Sequence, residues 1–385
     1  MKIAVVGGGP AGLYFASSLK GLASEHNITV FEKSPGDSTY GFGIAFSDGA
    51  LKSIGKADPK LCGAILAHSE RLDTLTIVHH GQRVPVSGNV FFGISRLRLL
   101  ELLADKALSA GVQIVRNLTI GSISELEDFD LVVGADGVNS LVRRQFVETF
   151  EPEATACRNL LIWYACERTT DGIELLFHQT EFGLFVGHTY RYQSNRNTFV
   201  IECSPSTWRK AGLDKMAAEQ SRAFCSALFT DFLKGGHFIA NRSVWFTPKL
   251  IRTKRWSHQN IGLIGDALKT LHPSVGSGTR AAMKDAFALA RACAARGSDP
   301  HGALALFEAE HREGAEDLQQ SALHSIEWYE TVEDKLDLAP VQLAFDYMMR
   351  TGKVNSQRLR QMDASFADAW ESAGRMEPSD IRREL

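Results

Sequence analysis

The chain has 385 residues, of which 44% are hydrophobic and 23% are charged, and its formal net charge is −3. This composition is typical of a globular enzyme with two or three subdomains, and it argues against a broad basic surface for nucleic acid or anionic membranes. Six scattered cysteines without C-x-x-C spacing argue against a metal site and a disulfide framework. No run approaches 18 apolar residues, so we expect a cytoplasmic protein outside the membrane.

A glycine-rich turn near the N-terminus predicts a dinucleotide site. The apolar strand 3–6 leads into Gly7, Gly9 and Gly12, which have the spacing G-x-G-x-x-G. Such glycines allow a tight turn, a close approach to a pyrophosphate and tight packing of the following helix, whose N-terminus favours negative charge. The next strand ends at Glu32, where a carboxylate can accept hydrogen bonds from a ribose. The alternative for Glu32 is a solvated acid at a strand end.

The pattern continues as α/β up to about residue 150. The predicted elements are a helix over 11–22, a glycine-rich loop over Tyr40–Gly43, a helical stretch over 48–72, strands over 72–79 and 82–86, an amphipathic helix over 94–110 and a strand over 112–115. An apolar strand then leads into Gly134-Ala135-Asp136-Gly137. For Asp136 the alternative is an Asp-Gly turn without a ligand.

A block of strands interrupts this pattern. Alternating segments over 160–165, 173–178, 183–190 and 198–203, followed by a helix near 215–233, predict an inserted antiparallel sheet. The α/β pattern returns over 260–267, which ends in Gly265-Asp266, and a Pro/Gly loop over 271–279 opens a helix over 280–296. Residues 302–372 are expected to be mostly helical.

Three separated motifs together resemble the single-component FAD-dependent aromatic hydroxylases related to 4-hydroxybenzoate hydroxylase. They are the Gly7 turn, the segment 134–137, and Gly265-Asp266 with the loop 273–278. Within that family the chain is similar to the salicylyl-CoA 5-hydroxylase and 2-aminobenzoyl-CoA monooxygenase group over 41–48, 198–208 and 272–279. It is also similar to the indole hydroxylase of violacein biosynthesis over 162–164 and 199–203. Lys269 departs from the family, which usually has histidine there.

The resemblance implies an α/β fold with a split Rossmann-like FAD-binding domain, an inserted antiparallel-sheet substrate domain and a C-terminal helical region. The expected boundaries are 1–72, 93–154 and 246–300 for the FAD-binding parts, 73–92 and 155–245 for the substrate sheet, and 301–385 for the helical region. The FAD-binding residues that it implies are Gly7, Gly9, Pro10, Ala11, Gly12, Glu32, Lys33, Arg96, Asp136, Gly265, Asp266, Pro273, Gly276, Ser277, Gly278 and Thr279.

The resemblance also implies a reaction. NADH or NADPH would reduce FAD, O₂ would form a C4a-hydroperoxyflavin, and an activated aromatic ring would receive the hydroxyl group. An aryl-CoA thioester is the favoured substrate, and the protein is expected to be a monomer or a homodimer. Three alternatives stay open: a hydroxylase of indoles, tryptophan or free phenolic acids, a flavin reductase or oxidase without oxygen insertion, and a non-catalytic dinucleotide sensor.

Four residues are candidates for the substrate site. His272, beside Pro273, is the candidate for orienting the substrate or transferring a proton, because histidine titrates near neutral pH; a structural hydrogen bond is the alternative. Lys269 could neutralise a thioester or carboxylate, or lie on the surface. His188 and Tyr190 share one face of a strand and could line the cavity, or pack in the sheet.

Three further assignments concern the surroundings of that site. The basic residues Lys249, Arg252, Lys254 and Arg255 could bind coenzyme A, although such runs are usually solvated. Trp163 and Phe92 are expected in the core.

Overall fold

The computed structural model describes residues 1–36 and 41–374, so Tyr40 of the predicted loop and residues 375–385 lie outside it. Within that part the strands are β1 (Lys2–Val6), β2 (Asn27–Glu32), β3 (Gly43–Ser47), β4 (Glu70–His79), β5 (Gln82–Ser95), β6 (Gln113–Arg116), β7 (Leu131–Gly134), β8 (Pro152–Ala156), β9 (Leu160–Cys166), β10 (Ile173–Thr180), β11 (Gly183–Gln193), β12 (Arg196–Cys203), β13 (Lys249–Thr253), β14 (Ser257–His258) and β15 (Ile261–Leu263).

Helices cover the parallel sheet and form most of the C-terminal region. They are α1 (Pro10–Leu22), α2 (Asp48–Ala57), α3 (Pro59–Ala67), α4 (Arg96–Ser109), α5 (Leu141–Gln145), α6 (Val147–Phe150), α7 (Pro205–Lys210), α8 (Ala218–Leu228), α9 (Thr230–Leu233), α10 (Gly278–Arg296), α11 (Pro300–Glu330), α12 (Pro340–Met349), α13 (Ser356–Met362) and α14 (Ala364–Ser372). None of the helices described is long and apolar enough to span a membrane.

The first sheet has six strands in the order β14-β15-β7-β1-β2-β6 and is parallel except for its short edge strand β14. Its central strand β1 is a continuous apolar run, and Ile3, Ala4 and Val5 are completely buried. Such a run is typical of a strand covered on both faces. Helix α1 packs against α4 and α10, which places the glycine turn at the carboxyl edge of this sheet. The predicted α/β fold is confirmed.

The second sheet has seven strands in the order β3-β5-β4-β10-β11-β12-β9. The predicted antiparallel sheet is confirmed, and among its pairings only that of β4 with β10 is parallel. These strands are about a hundred residues apart in the chain, so no hairpin turn dictates their direction. The prediction missed β3, which follows the glycine loop and pairs with the end of β5, where Ile44 lies opposite Ile94. Both of these side chains are buried.

The helical stretch predicted over 48–72 consists of two helices. Asp58 separates α2 from α3, and its carboxylate accepts a hydrogen bond from the backbone N–H of Leu61 at 3.0 Å. A residue that precedes proline avoids helical geometry, and aspartate is a favoured helix N-cap, so Asp58-Pro59 ends one helix and begins the next.

The C-terminal helices close one face of the second sheet. Trp328 and Leu343 belong to a buried cluster with Leu75 and Leu175 of that sheet. This packing places α12 against β4 and β5, and it places Tyr329, near the end of α11, beside His188 of β11.

Candidate active site

A cavity of about 710 Å³ lies at the carboxyl edge of the parallel sheet, where open α/β sheets bind their ligands. Its volume is within the range of cofactor sites. Most residues that the sequence assigns to FAD line this cavity: Gly7, Gly9, Pro10, Ala11, Glu32, Lys33, Arg96, Asp136, Asp266, Pro273, Gly276, Ser277, Gly278 and Thr279.

The glycine turn is shaped by steric exclusion. Gly7 has a φ of +109°, and a Cβ atom there would lie 2.4 Å from the carbonyl oxygen of Ala135. A Cβ atom on Gly12 would lie 2.0 Å from the carbonyl oxygen of Gly7. Gly12 therefore packs behind the turn and does not line the cavity. A side chain on Gly7 would push the first and second motifs apart, and one on Gly12 would push α1 away from the turn.

Glu32 lies at one end of the cavity, and Asp266 lies at the other. At one end the Glu32 carboxylate accepts hydrogen bonds from the backbone N–H groups of Gly8 and Ser34, both at 2.7 Å, so it also holds the turn in place. The segment 118–121 lines the same cavity. That segment follows the short strand β6 and has no motif that marks it in the sequence.

Asp136 and Arg143 connect the second motif to its neighbours. One oxygen of the Asp136 carboxylate accepts hydrogen bonds from the N–H groups of Leu141 and Val142, at 2.6 and 3.3 Å. Its other oxygen, Oδ1, is buried and has no hydrogen-bond partner in the part of the chain described. The Arg143 guanidinium, which the sequence did not single out, donates to the carbonyl oxygen of Ala267 at 2.7 Å. Arg143 thereby joins the second motif to the third.

Asp266 lies opposite Arg96 at the other end of the cavity. The Asp266 side chain is exposed to the cavity but lies deep in the protein, and this burial raises its carboxyl pKa, while the charge of Arg96 opposes that rise. Gly265, with φ +60°, does not line the cavity; a Cβ atom on it would lie 2.9 Å from Cβ of Ala11. Its close packing brings the third motif against α1.

These observations fit a bound FAD. A Cβ atom on Gly9, which lines the cavity, would have no protein atom within 4 Å and would take up open space beside the turn, and Asp136 offers an unpartnered buried oxygen. N–H groups at the start of α1 and the cation of Arg96 suit a pyrophosphate. The elongated cavity ends at the loop 273–279.

A second cavity, of about 280 Å³, adjoins the first. The two share the wall residues Ala45, Trp163, Tyr190, Pro273 and Gly276. The second cavity is therefore placed where a substrate would meet the end of the cofactor. The expectation that Trp163 belongs to the core is wrong, because it lines both cavities and donates a hydrogen bond from its indole N–H to Thr198. A single sequence does not distinguish a core indole from one at a cavity wall.

His188 and Tyr190 both line the second cavity, as their shared strand face predicts. The Tyr190 hydroxyl donates a hydrogen bond to the carbonyl oxygen of Gly43 at 3.0 Å, which links β11 to the start of β3. Burial raises the pKa of Tyr190, so its hydroxyl is un-ionised and can donate.

His272 caps the 3₁₀ turn Pro273–Val275. Its Nδ1 accepts a hydrogen bond from the N–H of Ser274 at 3.2 Å and lies 2.8 Å from the Ser274 hydroxyl. Only 1% of His272 is exposed, and this burial lowers its pKa. The structural hydrogen bond that the sequence left open is therefore present, and it shapes the loop over 273–276.

Lys269 lies in neither of these cavities. It is 5% exposed, and its ammonium contacts both carboxylate oxygens of Asp285 at 2.5 and 2.6 Å. His311 Nε2 lies 2.7 Å from the same carboxylate, and the Gly265 N–H donates to it at 3.1 Å. Lys269 is therefore neither a surface residue nor placed to bind a substrate in these cavities, which corrects both interpretations. Its charge is neutralised inside this cluster.

The basic run over 249–255 is paired with acids on the surface. Arg252 contacts Glu316 at 3.3 Å, Lys254 contacts Glu151 and Glu153 at 3.6 and 3.3 Å, and Arg255 contacts Glu151 at 3.5 Å. These partners remove much of the attraction that the run would have for phosphates.

Two further charged residues in the second cavity were not assigned a role from the sequence. Glu202 lies within the stretch 198–208 on β12, and Arg350 follows α12. The Arg350 guanidinium donates to Ser325 Oγ at 3.2 Å and to the Tyr347 carbonyl oxygen at 3.0 Å, and its planar group lies over the Tyr347 ring. Arg350 is far from the motifs in sequence, so only the folded chain identifies it.

Comparisons with known proteins agree with this geometry. Residues 93–322, more than half of the chain, match the family described as FAD binding domain. The salicyloyl-CoA 5-hydroxylase of a Streptomyces species is 34% identical over 96% of this chain and 73% of its own length. The chain belongs to the family of FAD-dependent aromatic hydroxylases. The predicted resemblance is thus confirmed.

Other relatives of the hydroxylase support the same assignment. The 3-hydroxy-4-methyl-anthranilyl-[aryl-carrier protein] 5-monooxygenase of Streptosporangium sibiricum is 32% identical over 87% of this chain and 90% of its own length. Among solved structures, 2-methyl-3-hydroxypyridine-5-carboxylic acid oxygenase has the same fold, with a TM-score of 0.72 and 18% identity over 94% of this chain and 95% of its own.

Proposed function

We propose that the hydroxylase acts on an aromatic ring carried as a thioester, such as a hydroxybenzoyl-CoA or an aminobenzoyl-CoA. Two relatives with more than 30% identity have names that specify a CoA thioester and an aryl-carrier protein. NADH or NADPH would serve as the electron donor, and FAD, when bound and reduced, would supply oxygen chemistry from O₂.

The charge balance of the second cavity carries this proposal. Among its described lining residues, Glu202 is an acid and Arg350 is a guanidinium, and the rest are mostly apolar or aromatic. One negative and one positive charge leave the cavity close to neutral. A free benzoate would add an uncompensated carboxylate in a low-dielectric site, which is unfavourable, whereas a thioester adds none.

The residues of the hydroxylase would bind and enclose the ring. The 280 Å³ cavity is of a size for one substituted ring, with Trp163 and Tyr190 at the wall shared with the cofactor cavity. The loop over 273–276 forms the same wall, where glycine allows a close approach. Apolar residues on β4 and β10, including Leu75 and Leu175, exclude water from the ring.

A substrate panel tests the proposal. Salicyloyl-CoA, 2-aminobenzoyl-CoA, free salicylate and indole would be added separately to the FAD-loaded protein with NADH or NADPH under ¹⁸O₂. We expect a thioester to accelerate oxidation of the nicotinamide and to yield a hydroxylated product that contains one ¹⁸O atom. Acceleration by free salicylate or indole, but by neither thioester, would contradict the proposal. Hydrogen peroxide without labelled product would favour an oxidase.

A further inference from the structure

Glu202 is a buried carboxylate whose hydrogen bonds are incomplete. It is 1% exposed, and its Oε1 accepts a hydrogen bond from Asn159 Nδ2 at 2.9 Å. Its Oε2 lies 3.3 Å from Nε2 of His188, in an orientation that falls short of a hydrogen bond. Neither of these two atoms has another hydrogen-bond partner in residues 1–36 and 41–374. A buried polar pair of this kind requires an explanation, because most buried polar atoms are satisfied.

The pair is built into the sheet beside the substrate cavity. His188 on β11 lies opposite Val200 on β12, so Glu202 is its diagonal neighbour on the same face. The Nε2 atom of His188 is buried against Glu202, while 14% of the side chain is exposed and lines the cavity. The imidazole and the carboxylate therefore both lie at the wall of the cavity in which a substrate ring would bind.

Two other buried acids, Asp285 and Glu174, do not share this arrangement. Asp285 has close contacts with a lysine and a histidine. Glu174, on β10 of the same sheet, is 6% exposed and accepts hydrogen bonds from Arg83 at 2.6 and 3.3 Å. Neither Asp285 nor Glu174 lines the substrate cavity. Glu202 thus differs from both in its partner and in its position.

We propose that His188 is the base that accepts the proton of a hydroxyl group on the substrate ring, and that Glu202 is the positioning residue that orients and stabilises the resulting imidazolium. This inference rests on the proposed function. Because Nε2 lies beside the Glu202 carboxylate, the imidazole would carry its proton on Nε2, and Nδ1 would keep the lone pair that receives the substrate proton. The substrate O–H bond breaks, an N–H bond forms on His188, and the electron pair stays on the phenolate oxygen, which activates the ring.

The electrostatic surroundings agree with this role. Burial alone would raise the pKa of Glu202, but the His188 contact and the charges of His272 and His188 outweigh it and lower that pKa, so the carboxylate is ionised. Burial also lowers the pKa of His272. Titratable or charged groups that face the pair from the elements around it are Tyr190, His272, Tyr329, Tyr347 and Arg350.

The pair narrows the substrate class. A phenolic hydroxyl group has a pKa near 10, which a histidine–carboxylate pair can lower further in a buried site. An aromatic amine is a far weaker N–H acid, and its nitrogen lone pair already activates the ring. The acceptor pair therefore favours a hydroxyaryl thioester over an aminoaryl thioester.

A spectroscopic titration of bound substrate tests the proposal. Salicyloyl-CoA would be bound to the FAD-loaded enzyme without NADH or NADPH, and phenolate absorbance would be followed against pH by difference spectra. We expect the bound phenol to ionise at a lower pH than the free thioester. Glu202→Gln and His188→Gln should move that midpoint back toward the free value, whereas Glu174→Gln, the same change in a buried acid of the same sheet, should not.

Kinetic measurements separate positioning from structural support. We expect Glu202→Gln and His188→Gln to lower kcat on the hydroxyaryl thioester by about 100-fold, the usual range for loss of general base catalysis, with a small change in KM. Turnover of 2-aminobenzoyl-CoA should change little. Added imidazole should partly restore His188→Ala, and FAD content should stay at the wild-type level in each variant.

The outcomes of this test are distinct from those of the substrate panel. Equal losses on the hydroxy and amino thioesters, or an unchanged ionisation midpoint in both variants, would overturn the role of the pair while leaving the thioester proposal intact. If salicyloyl-CoA fails to bind but free salicylate binds and is hydroxylated, the thioester proposal fails, and the same titration on salicylate decides the role of the pair. Failure of both ligands to bind would overturn the hydroxyaryl assignment.

Discussion

Asp285 and Glu202 are both buried acids near the catalytic end of the hydroxylase, but their surroundings differ. Asp285 is contacted by the Lys269 ammonium, by His311 and by the Gly265 N–H. Glu202 has one well-aligned donor, Asn159, and a poorly aligned contact with His188 beside a cavity. The first carboxylate is fully compensated and holds elements together. The second keeps unused hydrogen-bonding capacity where a substrate would lie, which is typical of a functional site.

The largest expected effect comes from breaking the compensated cluster. Asp285→Asn would leave the buried Lys269 ammonium without its counter-charge, and we expect a loss of about 3–5 kcal/mol in the free energy of unfolding. Urea denaturation measures this loss. The matched control is Asp317→Asn, which removes an exposed partner of Lys353 and should cost at most about 1 kcal/mol. Similar losses of stability in both variants would contradict the distinction between the buried Asp285 cluster and the exposed Asp317 pair.

A double variant tests whether the unpaired charge of Lys269 causes this loss of stability. Lys269→Met combined with Asp285→Asn removes the unpaired charge that the single variant leaves, so we expect it to recover roughly 1–2 kcal/mol of the loss. The double-mutant cycle, again measured by urea denaturation, gives the coupling between the two residues. Strict additivity of the two single changes would show that the ion pair is not the source of the effect.

Glu202→Gln should destabilise the hydroxylase far less, by about 1 kcal/mol, although its side chain is as buried as that of Asp285. Glutamine retains an oxygen for the Asn159 amide, and the contact with His188 that it loses is poorly aligned. The thermal unfolding midpoint of the FAD-loaded variant checks this expectation. A drop as large as that of Asp285→Asn would indicate that Glu202 is mainly a structural residue.

The smallest expected effect concerns pH. Burial lowers the pKa of His272 in the folded state below its ordinary value of 6.5. The unfolded chain therefore binds a proton more readily, and stability falls as pH decreases below about 6.5. His272→Asn, which can still cap the turn over 273–275, should flatten this fall between pH 6.5 and 5. An unchanged slope in unfolding midpoints measured across that range would argue against a neutral buried histidine.

The sequence could predict residues that belong to local motifs, but not contacts between distant elements. Gly7, Glu32 and Asp266 belong to short motifs whose spacing reflects local geometry, and the structure places Gly7, Glu32 and Asp266 along one cavity. Lys269 was misinterpreted because its partner Asp285 lies on another element, and no local pattern reveals their contact.

The pairing of strands and the residues of the cavity walls could not be predicted from local sequence patterns either. Strand β3 is short and follows a glycine loop, so its pairing with the distant end of β5 decides its structure. Glu202 was visible only as part of a family-like stretch, since its missing hydrogen bonds are a property of the folded sheet.

The position of Gly265 in the Asp285 cluster has a consequence for how the enzyme matures. The cofactor cavity needs residues from Gly7 to Thr279, and His311 of helix α11 contacts the carboxylate that fixes the third motif. During synthesis on the ribosome, the nascent chain cannot form this contact with the third motif's support until α11 has emerged. Tight flavin capture is therefore expected to be a late event in biogenesis, close to release of the finished chain.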